Sequence, residues 1–116
     1  WLVKKKLNIH NMKKAIKLFA GTHNFNAFRS SSCSAKSPIR TIEKSSLTKK
    51  GDKIIIIFSS KSFLQHQVRS MVGCLKFIGE GKWNIDKLKK LFYSRKRSLC
   101  APPAPSSGLY LYKVTY

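Results

Sequence analysis

Residues 54 to 57 are four consecutive isoleucines followed by Phe58, and no other stretch restricts the fold as much. Isoleucine is β-branched and stiff at χ1, so the run favours extended backbone. Successive side chains on a strand point to opposite faces, and this strand is therefore apolar on both. It is predicted to be central in its sheet, covered by helices on one side and by further protein on the other. β-Branched residues are also frequent over residues 39–47, and Lys50-Gly51-Asp52 separates the two runs. Residues 39–47 and 53–59 accordingly read as a β-hairpin.

Three helical patterns flank the hairpin. Met12, Ala15, Ile16 and Phe19 recur at i, i+3, i+4 and i+7 ahead of Gly21, which predicts an amphipathic helix over residues 10–20 with a glycine cap. In HNFNAFRSSSC, Phe25 and Phe28 predict a turn or single helical turn from which Arg29 projects, and the serine-rich piece up to Pro38 reads as loop. Leu64, Val68, Met71, Val72, Leu75 and Ile78 fall within an arc of about 120° at ~100° per residue, the broad stripe of a core-facing second helix. Arg69 lies on the flank of that stripe with Gln65 and Lys76, and Gly79 and Gly81 mark the helix end. Asn84 is the predicted N-cap of a third helix through Ile85, Leu88, Leu91 and Phe92, with Asp86 in the first turn, where the helix dipole favours an anion. Its polar face, Lys87, Lys89, Lys90, Arg95 and Lys96, is basic.

APPAPSSG, residues 101–108, suits neither a helix interior nor a central strand and reads as loop. Residues 108–116 alternate as a final strand. Helix, two strands, two helices and a strand make an α+β arrangement, an antiparallel sheet with helices packed on one face. With 116 residues the chain reads as a single domain burying roughly 65% of its unfolded surface, marginal in stability without a partner.

Charge narrows the function. Lys and Arg number 24 against four Asp and Glu, a formal charge of +20, so nucleic acid is the first partner to expect and an anionic membrane surface the second. No apolar run approaches the ~18 residues of a spanning helix, and no signal-peptide pattern opens the chain, so a soluble, cytoplasmic protein is expected. In an isoleucine- and lysine-rich chain, single lysines say little. Arg29, Arg40 and Arg69 carry rigid planar donor forks suited to phosphate or carboxylate. Cys33, Cys74 and Cys100 lack CxxC spacing and any His pair to complete a zinc site. They read as reduced cytosolic thiols, Cys74 within a helix, and no metal is expected. Of the acids Glu43, Asp52, Glu80 and Asp86, none sits in a setting that suggests a nucleophile.

Read in order, WLVKKKLNIHNMKKAIKLFAGTHNFNAFR, SPIRTI, SFLQHQVRSMVGCLKFIGEGKW and CAPPAPSSGLYLYKVTY resemble the C-terminal half of the catalytic domain of the tRNA pseudouridine synthase A family, over essentially the whole chain. The resemblance implies an isomerase that detaches a uracil from its ribose in the anticodon stem and loop of tRNA, turns it and rejoins it through carbon, with no metal or organic cofactor. It implies that the catalytic Asp, in an R-T-D-A-G-V-H type motif, lies upstream of these residues. An N-terminal half sharing the sheet, and a homodimer, are implied as well. The chain by itself is then expected to be inactive.

Arg69 in FLQHQVRSMVG matches the family's active-site arginine, which pairs with the catalytic Asp. A guanidinium can make a bidentate, charge-assisted pair with a carboxylate and keeps its charge at any working pH. On spacing alone, Arg69 reads as a local cap or salt bridge on a helix flank. Leu109 in GLYL matches the apolar residue that meets the target base, which needs a floor once it is unstacked. Without the resemblance it is the first core residue of a strand. Phe63 is assigned to packing first and His66 to an RNA contact or to support of Arg69; Gln67 also adjoins Arg69. Arg29, with Lys36 and Arg40 nearby in sequence, is a candidate phosphate ligand. Where the family usually shows H-D-F, this chain has Asn24, which leaves a neutral hydrogen bond in place of an ion pair. The competing reading is a non-catalytic basic RNA-binding module, similar in composition to a small ribosomal protein.

Overall fold

The computed structural model describes residues 6–30, 35–51 and 53–105. The expected final strand and Leu109 lie outside the described residues, as do Cys33 and Asp52. The described residues form an α+β fold of three α-helices and two small antiparallel sheets.

Helix α1, Ile9–Ile16, starts where the Asn8 side chain accepts a hydrogen bond from the Asn11 amide, and it tightens into a 3₁₀ turn at Lys17–Phe19. Met12, Ala15, Ile16 and Phe19 are all buried, as their spacing predicts. Helix α2, Gln67–Gly79, buries Met71, Cys74, Leu75 and Ile78 against α1, while Val68 and Val72 at the edge of the predicted stripe stay half-buried. Helix α3, Ile85–Ser94, begins at the Asn84 cap: its Oδ1 accepts from the Lys87 amide at 2.9 Å, and Asp86 occupies the first turn. Replacing Asn84 by Ala is expected to destabilise the fold by about 1 kcal/mol, the usual worth of such a cap; a thermal melt would read it as a small drop in Tm.

The strands depart from expectation in two ways. The run over residues 39–47 breaks at Glu43 and serves two sheets. Strand β1, Gly21–Asn24, pairs with β2, Ile39–Ile42, with His23 opposite Arg40. Strand β3, Lys44–Lys50, pairs with β4, Lys53–Ser59, with Leu47 opposite Ile56. This second pair is the predicted hairpin, closing through Gly51 at φ +57, a left-handed conformation that glycine adopts without a Cβ penalty. Strand β1 has no apolar alternation and goes unseen in the sequence. Its order comes from its partner, and the Phe25 amide extends the pairing to the Pro38 carbonyl at 2.9 Å.

The second departure concerns the isoleucine run. Ile54, Ile56 and Phe58 pack on the core, but Ile55 and Ile57 are each 40% exposed. Strand β4 is therefore not central among the described residues, and its outer face is uncovered there. A run of isoleucines specifies two apolar faces; a second layer is needed to cover the second one, and these residues supply only the first.

An aromatic cluster joins the layers. The Phe19 ring meets Phe28, Phe58 and Phe92 with centroids 5.6, 5.9 and 5.7 Å away. Phe25 and Phe28, in and before the 3₁₀ turn Asn26–Phe28, are fully buried, so the predicted single turn is anchored as expected. Among the described residues no helix is long and apolar enough to cross a membrane.

Candidate active site

The start of α2 is built by a buried glutamine. Gln67 is fully buried: its Oε1 accepts from the Leu64 amide at 2.9 Å, its Nε2 donates to the Met71 sulfur at 3.5 Å, and its backbone amide donates to the Leu64 carbonyl at 3.0 Å. Burying an amide side chain is tolerable only with such partners. The clamp holds residues 64–67 as a tight turn and forces His66, the residue before the helix, to φ 65. His66 is exposed, Phe63 is 36% exposed, and Gln67 faces the core.

With the clamp below it, Arg69 emerges half-buried on the first turn of α2. Its Nε donates to the Ala104 carbonyl at 2.7 Å, and the Ala104 amide donates back to the Arg69 carbonyl at 2.9 Å. Nη1 and Nη2 have no hydrogen-bond partner among the described residues. The chain that reaches Ala104 crosses α2 one turn along from Arg69, at Gly73. A Cβ on Gly73 would stand 2.0 Å from the Pro102 carbonyl oxygen, so only glycine lets the segment lie down there.

On the other flank, the Ser30 amide donates to the Gln65 carbonyl at 2.9 Å, which brings the chain after Phe28 alongside the residues leading into α2. Arg29 is half-buried there, with Nη1 donating to the Ala35 carbonyl at 3.0 Å. Asn24 keeps a neutral hydrogen bond, accepting from the Asn26 amide at 2.9 Å. Arg40 sits elsewhere, on β2. Its Nη1 donates to the carbonyls of Ser37 and Ile39, and no described contact carries it to α2. A cleft of about 280 Å³ at Asn11, Lys14, Trp83 and Asp86 shares no residue with the Arg69 site.

Cys74 and Cys100 are free thiols with sulfurs 3.6 Å apart, a proximity that a spacing of 26 residues does not reveal. Either thiol can be the donor across this contact. The contact with Cys100, followed by burial, pushes the Cys74 thiol far above its ordinary pKa, whereas the contact with Cys74 lowers that of Cys100 against the opposing effect of burial. Because the thiolate is the reactive form, Cys100 is expected to alkylate at a lower pH than Cys74; peptide mapping after iodoacetamide at stepped pH checks the order. Among the described residues, no three His, Cys, Asp or Glu lie close enough to hold a metal ion.

Arg69, His66 and Phe63 are thus gathered at the start of α2, and the backbone next to Arg29 is joined to Gln65 through the Ser30 amide, while the Arg29 guanidinium turns to the Ala35 carbonyl. Ala104 and Gly73 went unread in the sequence. Their signal was present: a glycine inside a helical pattern, costing about 1 kcal/mol relative to alanine, usually has a packing reason. Here the reason is the proline-rich segment.

The family model described as tRNA pseudouridine synthase matches residues 15–116. The chain belongs to the tRNA pseudouridine synthase family. It is 53% identical over all 116 residues to the tRNA pseudouridine synthase A of Pelagibacter ubique. It is 42% identical to that of Xanthobacter autotrophicus and 45% identical to that of Rhodopseudomonas palustris strain BisA53 over the same span. In each case the whole chain covers 47% of the relative, so this pseudouridine synthase chain spans about half the length of the curated relatives it matches.

Proposed function

We propose that the chain is the C-terminal part of the catalytic domain of a tRNA pseudouridine synthase, converting uridine to pseudouridine in the anticodon stem and loop of tRNA. The observation that carries this reading is the Arg69 guanidinium, held through Nε with its two Nη groups unpaired among the described residues, in a chain of this family. The catalytic Asp comes from an N-terminal half. Its carboxylate attacks the nucleotide or removes a sugar proton, and Arg69 keeps it ionised and aimed. The pair is charge-assisted and needs the planar fork. Phe63 and His66 border the site, Leu109 supplies the apolar floor beneath the extruded base, and Arg29 and Arg40 are phosphate ligands. No cofactor takes part. The complete enzyme works in the cytoplasm as a homodimer.

The exposed row of Ile55 and Ile57 supports an N-terminal half seated on the sheet. Left uncovered, such a strand invites association with other chains. The chain alone is inactive on this reading, because Arg69 has a fork and no carboxylate to hold.

The basic end of α3 favours a second reading, a non-catalytic RNA-binding module. Lys87, Lys89, Lys90, Arg95, Lys96 and Arg97 are all exposed, and Tyr93 among them is 87% exposed. Aromatic faces and cations on one surface suit single-stranded RNA.

The test is pseudouridine formation in tRNA by the chain with and without the N-terminal half of a curated relative. Isomerisation only in the paired sample is expected. RNA binding with a steep salt dependence and no isomerisation in any pairing would favour the binding module instead.

A further inference from the structure

We propose that residues 101–105, seated on Gly73 of α2, are a positioning element for Arg69, in which the Ala104 carbonyl fixes the guanidinium so that it meets its carboxylate end-on, through Nη1 and Nη2. The proposal rests on the reading above, that Arg69 pairs a catalytic carboxylate. A guanidinium can bind a carboxylate bidentately through both Nη groups or sideways through Nε and one Nη. The bond from Nε to the Ala104 carbonyl closes the sideways approach.

The carbonyl is a rigid anchor for several independent reasons. Ala104 lies between Pro103 and Pro105, so ring closure restricts the chain on both sides and the α region is disfavoured at Ala104 itself. Its methyl group is buried, and its amide returns a bond to the Arg69 carbonyl. One helical turn along, Gly73 gives the Pro102 carbonyl its seat. At the start of the segment Ala101 is buried, beside the Cys74 and Cys100 contact. A long, flexible arginine is thereby ordered before the carboxylate arrives, which is the condition for a productive pair within a fraction of an ångström. Neither Ala104 nor Gly73 is given contact with substrate; both act through Arg69.

Two variants test it. Gly73→Ala lifts the segment, and Ala104→Gly loosens it without a clash. In the chain by itself, exchange of the Arg69 Nε–H with water, followed by NMR and assigned with Arg69→Lys, is expected to quicken by at least about tenfold in both variants if the bond is weakened by a decade in its equilibrium, while the other arginines are unchanged. In the paired enzyme, kcat is expected to fall by about tenfold or more with KM nearly constant, the sign of a change that acts on the chemical step and not on substrate binding. Arg69→Lys has no Nε–H, so neither variant is expected to lower its residual activity further. Unchanged Nε–H exchange, unchanged kcat, or equal losses in the Arg and Lys backgrounds would overturn the positioning role. Full activity in Arg69→Ala would instead bring down the catalytic reading of Arg69, and the purpose given to the segment with it, whatever the exchange shows.

Discussion

Replacing Arg69 by Ala in the paired enzyme is expected to abolish most isomerisation while leaving the chain folded. Removing one preorganised electrostatic group from an active site typically costs about 2.7 to 4 kcal/mol of transition-state stabilisation, a fall of about 10²- to 10³-fold in kcat. The structural cost is smaller. The bond from Nε to the Ala104 carbonyl at 2.7 Å is lost, and a hydrogen bond to a charged group contributes about 1.5 to 3 kcal/mol at most on a half-exposed site. Arg69→Lys should recover little activity, because an ammonium group restores the charge but not the planar fork. Single-turnover pseudouridine formation measures the chemical step, and a thermal melt of the same samples separates it from unfolding. Wild-type turnover in Arg69→Ala would remove the arginine from the mechanism.

The largest effect on stability is expected at Phe19. Its side chain is fully buried and touches three other rings, one each from β4, α3 and the 3₁₀ turn before Arg29. Truncating a buried phenylalanine to alanine costs about 3 to 5 kcal/mol through lost transfer energy and a residual cavity. Domains of this size are stable by only about 5 to 15 kcal/mol, so Phe19→Ala leaves a marginal or unfolded chain. Urea titration followed by far-UV circular dichroism reads the loss as a lower midpoint with little change in slope. Tyr93→Ala is the control: at 87% exposure it should change stability by no more than about 0.5 kcal/mol. A Phe19→Ala midpoint equal to that of the control would show that the aromatic cluster does not hold the layers together.

Every helix was legible because each carries its own evidence. Apolar residues at helical spacing, Asn84 at a cap position and Gly81 beyond the helix end are local features, and the structure follows them closely. The hairpin from Lys44 to Ser59 was legible for a similar reason, since its two strands are joined through a glycine turn. Strand β1 was not. Gly21, Thr22, His23 and Asn24 have no strand pattern, and they are extended because β2 offers them a ladder. The break at Glu43 escaped notice for the same reason: nothing local distinguishes residues that pair backward in the chain from residues that pair forward.

The candidate site divides along the same line. Arg69 could be singled out from FLQHQVRSMVG, and its place on the flank of a helix follows from a period of 3.6 residues. Its surroundings could not. That Ala104 returns across 35 residues to hold Nε and that Cys74 meets Cys100 are consequences of how the proline-rich segment lies on α2, and that Gln67 turns inward to meet the Leu64 amide follows from the packing of the core around it. Sequence by itself determined which residues are helical, which faces are apolar and which arginine is available, because those depend on near neighbours. Only the tertiary structure decided which partners satisfy the buried polar groups and which apolar face stays open. Both depend on how elements far apart in the chain pack together, and the spacing of residues along it carries no record of that packing.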